Sequence, residues 1–182
     1  IVVSSSKRES VRRQLLLTAG AVAWLLALLA LLTYSNADPG FTSSGDGSPV
    51  HNKVGPLGAW LSNMGFFLFG MSVWWLPVMA ARAWLSALAR DLRGAPRTHG
   101  RARFWVGVVL LMMASCALEW TRLYGVEARL PGHAGGVLGY TLGPASMQTL
   151  GFAGSGVLWI AMLVTALPLA FGFSWVKLAD DM

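Results

Sequence analysis

Apolar residues run almost unbroken through four stretches of this chain, and charged residues collect between them. No charge occurs from Gln14 through Ala37, nor from Val54 to Ala81 between Lys53 and Arg82. Phe104 to Leu123 carries only Glu119 and Arg122, near its far end. Gly151 to Val176 is uncharged and closes on Lys177. A bilayer core about 30 Å thick takes about 20 apolar residues in helix. The pattern therefore predicts an all-α integral membrane fold of four transmembrane helices, over 14–34, 57–81, 104–123 and 152–176. A basic tail, residues 1–13, precedes the membrane domain, residues 14–182.

Lysine and arginine set the expected orientation. Lys7, Arg8, Arg12 and Arg13 lie in the tail, and Lys177 follows the last span. Arg82, Arg90, Arg93, Arg97, Arg101 and Arg103 fill the connection between spans two and three and are the topology determinants. Only Lys53, Arg122 and Arg129 fall in the other two loops. Both termini are expected in the cytoplasm (N-in, C-in), with loops 35–53 and 122–150 outside. Trp60 and Trp120 fall near the outer ends and Trp84, Trp105 and Trp175 near the inner ends, as an interfacial belt requires. Trp24, Trp74, Trp75 and Trp159 fall deeper and read as packing bulk. The first outer loop, rich in Gly, Ser, Asp and Pro, reads as turn-forming and solvated. The arginine-rich connection is expected to prolong span two as helix to about Leu92, then break at Gly94 and Pro96. Ser35-Asn36-Ala37 offers small residues for signal cleavage, but the run Leu15–Leu32 exceeds the about 7–15 residues of a signal core. Length favours a permanent span.

Composition agrees. The chain is 55% hydrophobic and 12% charged, against about 25% charged in soluble domains. The net charge of +6 flanks apolar segments and lines no face, which argues against nucleic-acid binding by these residues. One cysteine, Cys116, excludes an intrachain disulfide framework. The chain begins at Ile1 and stops soon after an apolar segment, and it is read as a fragment of something longer.

Candidate chemistry is sparse. Glu119 is the acidic residue nearest a span, and an intramembrane carboxylate is a functional hypothesis by default. Arg122 sits at i+3, in reach for an interfacial ion pair on one helix face, which is the expected arrangement. His51, His99 and His133 lie in three separate loops without metal-ligand spacing. The loop arginines suffice to set topology, and they could also hold anionic lipid headgroups. Gly58, Ser62, Gly65 and Ser72 share one face of span two, and small residues on one face let helices approach closely in lipid. Gly135, Gly139 and Gly143 recur every four residues in a segment broken by Pro131 and Pro144. That segment is too short to span, and a short apolar helix in the second outer loop is expected there. Both sets are candidate helix-packing or partner faces. No G-x-x-x-x-G-K-[ST] occurs, so a phosphate cradle has no support. Pro77 and Pro168 read as tolerated kinks. No catalytic, cofactor-binding or metal residues are assigned.

Several stretches in order resemble the N-terminal four-helix membrane domain of the FtsK/SpoIIIE family of DNA translocases. LLTYSNADPGF (31–41) resembles the family's exit from span one, and PVHNKVGPLGAWLSNMGFFLFG (49–70) its entry into span two. SCAL (115–118) resembles the late third span, GGVLG (135–139) the start of the last outer segment, and GFSWVKLAD (172–180) the exit from span four. At Asn63 the family commonly has aspartate; the amide here gives up a titrating role and keeps a hydrogen-bonding one. The resemblance implies a septal anchor in the bacterial inner membrane, in contact with the bilayer and with other cell-division membrane proteins. It implies that a hexameric motor follows Met182, pumps DNA, uses ATP and Mg, and couples division to chromosome segregation. Self-association and DNA contact would then run through that motor. The competing classes are a free-standing four-span transporter, channel or scaffold, and an enzyme. A pore for a polyanion calls for polar or basic residues within the spans, and no nucleophile–base pair appears at membrane depth.

Overall fold

The computed structural model describes residues 2–93 and 101–180. Six α-helices follow one another: α1 Val2–Leu32, α2 Gly55–Phe69, α3 Trp75–Arg93, α4 Arg101–Arg122, α5 Gly136–Phe171 and α6 Trp175–Asp180. Two 3-10 segments, Gly70–Trp74 and Tyr124–Arg129, intervene, and no strand occurs among the described residues. Among the described residues four helical units are long and apolar enough to cross a membrane: Val11–Leu32, Gly55–Ala89, Ala102–Arg122 and Gly136–Phe171. The expected all-α, four-span class is the observed one. Arg97 and His99 lie outside the described residues.

Boundaries differ from expectation where special residues act. α1 continues through the basic tail to Val2 as helix. α2 opens on Gly55-Pro56, and a proline in the first turn lacks only an N–H that has no intrahelical partner anyway. The second span is two helices with a 3-10 joint. Gly70 has φ 57 and ψ −145, a conformation that side-chain-bearing residues rarely take. Pro77 lies in the first turn of α3, just after this joint. The last span ends at Phe171, short of the expected 176. Gly172, left-handed at φ 73, returns its N–H to the Pro168 carbonyl, a glycine C-cap.

α5 is itself two helices. Gly151 (φ 67, ψ −177) interrupts it, and Trp159 Nε1 donates to Ser146 Oγ at 2.9 Å. In one straight helix those residues would stand about 20 Å apart. The halves therefore fold back on each other, and residues 136–150 form the short helix expected in the second outer loop. That half packs along α4 instead of lying on the surface.

The main core joins α3, α4 and α5 through Met79, Val108, Leu111, Met112, Cys116, Ala166 and Ala170. A second cluster, Leu31, Phe66, Val73 and Leu130, ties α1 and α2 beneath the loops. A third sets Trp159 against Ala114 and Ala117. α1 stays largely outside this packing and shows its leucines to the surroundings.

Candidate functional site

Two polar clusters lie near the end of the bundle that carries loops 33–54 and 123–135, and a third lies at the end of the termini. The deepest is built on Glu119 of α4, 3% exposed. Its Oε1 accepts the Met71 N–H at 2.8 Å. Its Oε2 accepts the Ser72 N–H and the Ser72 hydroxyl, each at 2.9 Å. The break at Gly70 creates these donors, because a helix restarting there leaves its first N–H groups unpaired. A carboxylate accepts only, so the single Ser72 proton points at Glu119. Ser115 Oγ, 2.8 Å from Ser72 Oγ, then donates to it and itself accepts from Trp75 Nε1 at 3.0 Å. The chain Trp75, Ser115, Ser72, Glu119 runs in one direction and welds α3 to α4.

The expected Glu119–Arg122 pair does not form. Glu119 spends both oxygens on the 3-10 joint, and Arg122 turns toward α5 once the fold at Gly151 brings that helix alongside. Its Nη2 donates to the Phe152 carbonyl, and its guanidinium lies 3.4 Å from the Phe152 ring centroid.

The second cluster holds the first loop. Asp38, 3% exposed, accepts the His51 N–H at 2.7 Å, the His51 ring at 3.0 Å and the Asn52 N–H at 2.8 Å. Burial pushes its carboxyl upward, but the hydrogen bonds from His51 and Asn52 outweigh that and hold it below the usual carboxylate range. The Asn52 amide donates to the Ala30 carbonyl at 2.8 Å, and its oxygen accepts the Val54 N–H at 3.0 Å. Asn63 Oδ1 accepts both the N–H and the hydroxyl of Thr42, at 2.9 and 3.0 Å. The loop expected to be solvated is thus latched by buried Asp38, Asn52 and Asn63. Sequence reasoning assigned Asp38 and Asn52 no role, although both sit in the stretches that carry the family resemblance.

The small residues serve this chain's own packing. Gly58 and Ser62 lie against Asn52, and a side chain at Gly58 would strike Asn52 and Val54. Gly65 faces Val73 and Leu31, and Ser72 belongs to the Glu119 cluster. Gly135 and Gly139 lie against the Cys116 carbonyl and Gly143 against the Trp120 ring. A further seam went unrecognised in the sequence. Gly107 meets the Ala170 backbone, and Ala114, Ala117 and Ala166 are fully buried. Its signal was available as small residues at i, i+7 in α4 and i, i+4 in α5.

At the end of the termini, Arg82 Nε and Nη2 donate to the Phe171 carbonyl at 3.2 and 2.8 Å. The guanidinium also lies 5.3 Å from the Phe104 ring centroid. A cation on the last carbonyls of a helix complements the helix dipole. The structure does not describe the side chains of Arg90, Arg93 and Arg101, and Arg103 is exposed. His133 lies 2.7 Å from Glu127 and stacks on Tyr140. No three groups that could hold a metal converge among the described residues.

Residues 9–182 match the family described as the 4TM region of DNA translocase FtsK/SpoIIIE. The chain is 35% identical over 176 residues to DNA translocase FtsK 2 of Ralstonia nicotianae, covering 90% of this chain and 22% of that protein. It is 32% identical over 169 residues to DNA translocase FtsK of Pseudomonas syringae pv. syringae, covering 91% and 21%. Against DNA translocase FtsK of Vibrio vulnificus the identity is 26% over 192 residues, covering 99% and 19%. The chain thus spans about a fifth of the length of these relatives. No solved structure matches it.

Proposed function

The chain belongs to the FtsK/SpoIIIE family as its four-helix membrane region, and from that premise we propose that it anchors a septal DNA translocase and binds its membrane partners. It holds the protein in the bacterial inner membrane at the division septum, with both termini in the cytoplasm. There it meets other cell-division membrane proteins and couples division to chromosome segregation. ATP-driven DNA pumping, with Mg, belongs to a hexameric motor elsewhere in the full-length protein.

One observation carries this reading: the match runs through all four spans, and in the relatives this region is about a fifth of the protein. The geometry is compatible with anchoring. Buried polar side chains are spent on ties within the domain. Near the loops, Phe41 and Trp60 stack edge to face at 5.7 Å and stay half exposed, a surface available to a partner.

The test is the intact native protein, captured from its own cells with an antibody to loop 35–53. A species far above 19.5 kDa that carries peptides of an ATPase supports the anchor. A native mass near 19.5 kDa overturns it and leaves a free-standing four-span protein.

A further inference from the structure

A groove of about 790 Å³ opens between α1 and α3 toward the end of the bundle that carries the termini. Trp24, Leu28, Trp74 and Val78 wall it, Arg82 and Phe171 line its terminal part, and Leu85 continues the wall one turn beyond Arg82. The groove is open along one side to the surroundings, and its lining is almost wholly apolar. Its walls are fixed, because Trp24 Nε1 donates to the Pro77 carbonyl at 2.8 Å and Trp84 Nε1 to the Leu17 carbonyl at 2.9 Å.

The cation at its end is only partly answered. Arg82 gives two donors to the Phe171 carbonyl, which carries a partial charge. Among the described residues no carboxylate pairs with Arg82, and the pairs His51–Asp38 and His133–Glu127 lie at the other end of the bundle. A guanidinium at the edge of hydrocarbon is costly without a counter-charge, and its planar fork suits a phosphate. The helices α1 and α3 are apolar from Arg82 toward mid-bundle, the direction a lipid tail takes from a headgroup at that surface. Arg8, Arg12 and Arg13 of α1 lie toward the same end and add to its positive field.

We propose that this groove seats one acyl chain of an anionic phospholipid from the leaflet on the side of the termini, with the lipid phosphate on Arg82. The site is separate from the loop clusters and from any partner surface near Phe41.

Native mass spectrometry of the chain released from nanodiscs of equal phosphatidylglycerol and phosphatidylethanolamine tests this. The expected result is several-fold preferential retention of phosphatidylglycerol. Arg82→Gln, which keeps donors for the Phe171 carbonyl, abolishes the preference. Val78→Trp, from a wall position 45% exposed, fills the groove and lowers retention of both lipids. A control at Val157, 69% exposed on α5, leaves retention unchanged. Equal retention of the two lipids by the unaltered chain overturns the proposal, as does an undiminished preference in folded Arg82→Gln. Displacement of the lipid by excess inorganic phosphate also overturns it, since the site would then take free anions. Should Arg82→Gln not fold, Val78→Trp decides: unchanged retention there overturns the proposal.

Discussion

Glu119 and Ser72 stand 47 residues apart in the chain, yet the carboxylate takes both the amide and the hydroxyl of that serine, each at 2.9 Å. The acid at membrane depth therefore closes a helix joint. Its anionic oxygens meet the free N–H groups that the break at Gly70 exposes, as an N-terminal cap does for an isolated helix.

Glu119→Gln presents an NH2 group to donors that need an acceptor. Hydrogen bonds to charged groups contribute about 1.5–3 kcal/mol each, so the substitution lowers stability by about that amount. Unfolding in mixed micelles, followed by tryptophan fluorescence, reads the change. A variant as stable as the parent chain would show that the joint stands without the carboxylate.

Asn63 holds Thr42 through its oxygen and also hydrogen-bonds the Tyr34 hydroxyl; an aspartate keeps the acceptor for Thr42 and gives up the donor to Tyr34. Asn63→Asp keeps the first loop resistant to limited proteolysis. Asn63→Leu leaves the Thr42 donors unpaired, at about 1–3 kcal/mol, and speeds cleavage within 35–53. Equal protection in the leucine variant contradicts this.

Asp38 makes the latch sensitive to acid. Its folded pKa lies below the ordinary 3.8, so near that value the unfolded chain binds the proton more readily and stability rises with pH. The contribution is full above 3.8 and is lost as pH falls through the depressed folded value. Hydrogen exchange at the His51 and Asn52 amides should quicken across that window. In Asp38→Asn the step disappears, and a step that persists there belongs to another group.

Gly143 admits the Trp120 ring against α5. Gly143→Leu forces that contact apart, and overpacking of this kind costs about 1–3 kcal/mol. Membrane insertion is expected to survive while thermal stability in detergent falls. Unchanged stability with altered self-association would instead assign the glycine face to contacts between chains.

The spans were legible because a run of apolar residues long enough for a bilayer has few other uses. The short helix before the fourth span was legible from Gly135, Gly139 and Gly143. The joint at Gly70 was hidden, since a positive φ at one glycine leaves no mark among 21. The Glu119–Arg122 expectation failed for a related reason. Spacing within one helix reveals candidate neighbours at i+3, but here the partners arrive from a helix 47 residues away. The burial of Asp38 and Asn52 was equally invisible, because a loop of turn formers looks solvated until its carboxylate finds backbone donors.

The sparse seating of α1 bears on the order of assembly. This helix leaves the ribosome before the elements that hold it. Its fixed points are the Ala30, Leu17 and Trp24 contacts with Asn52, Trp84 and Pro77, 22 to 67 residues further on. Until the second span is complete, α1 stands alone in lipid with its own backbone bonds satisfied. The intimate α4–α5 pair, by contrast, forms from neighbours in sequence. The first helix made thus waits for span two, residues 52 to 84, before it is fastened, whereas the α4–α5 pair closes as soon as its second member is made.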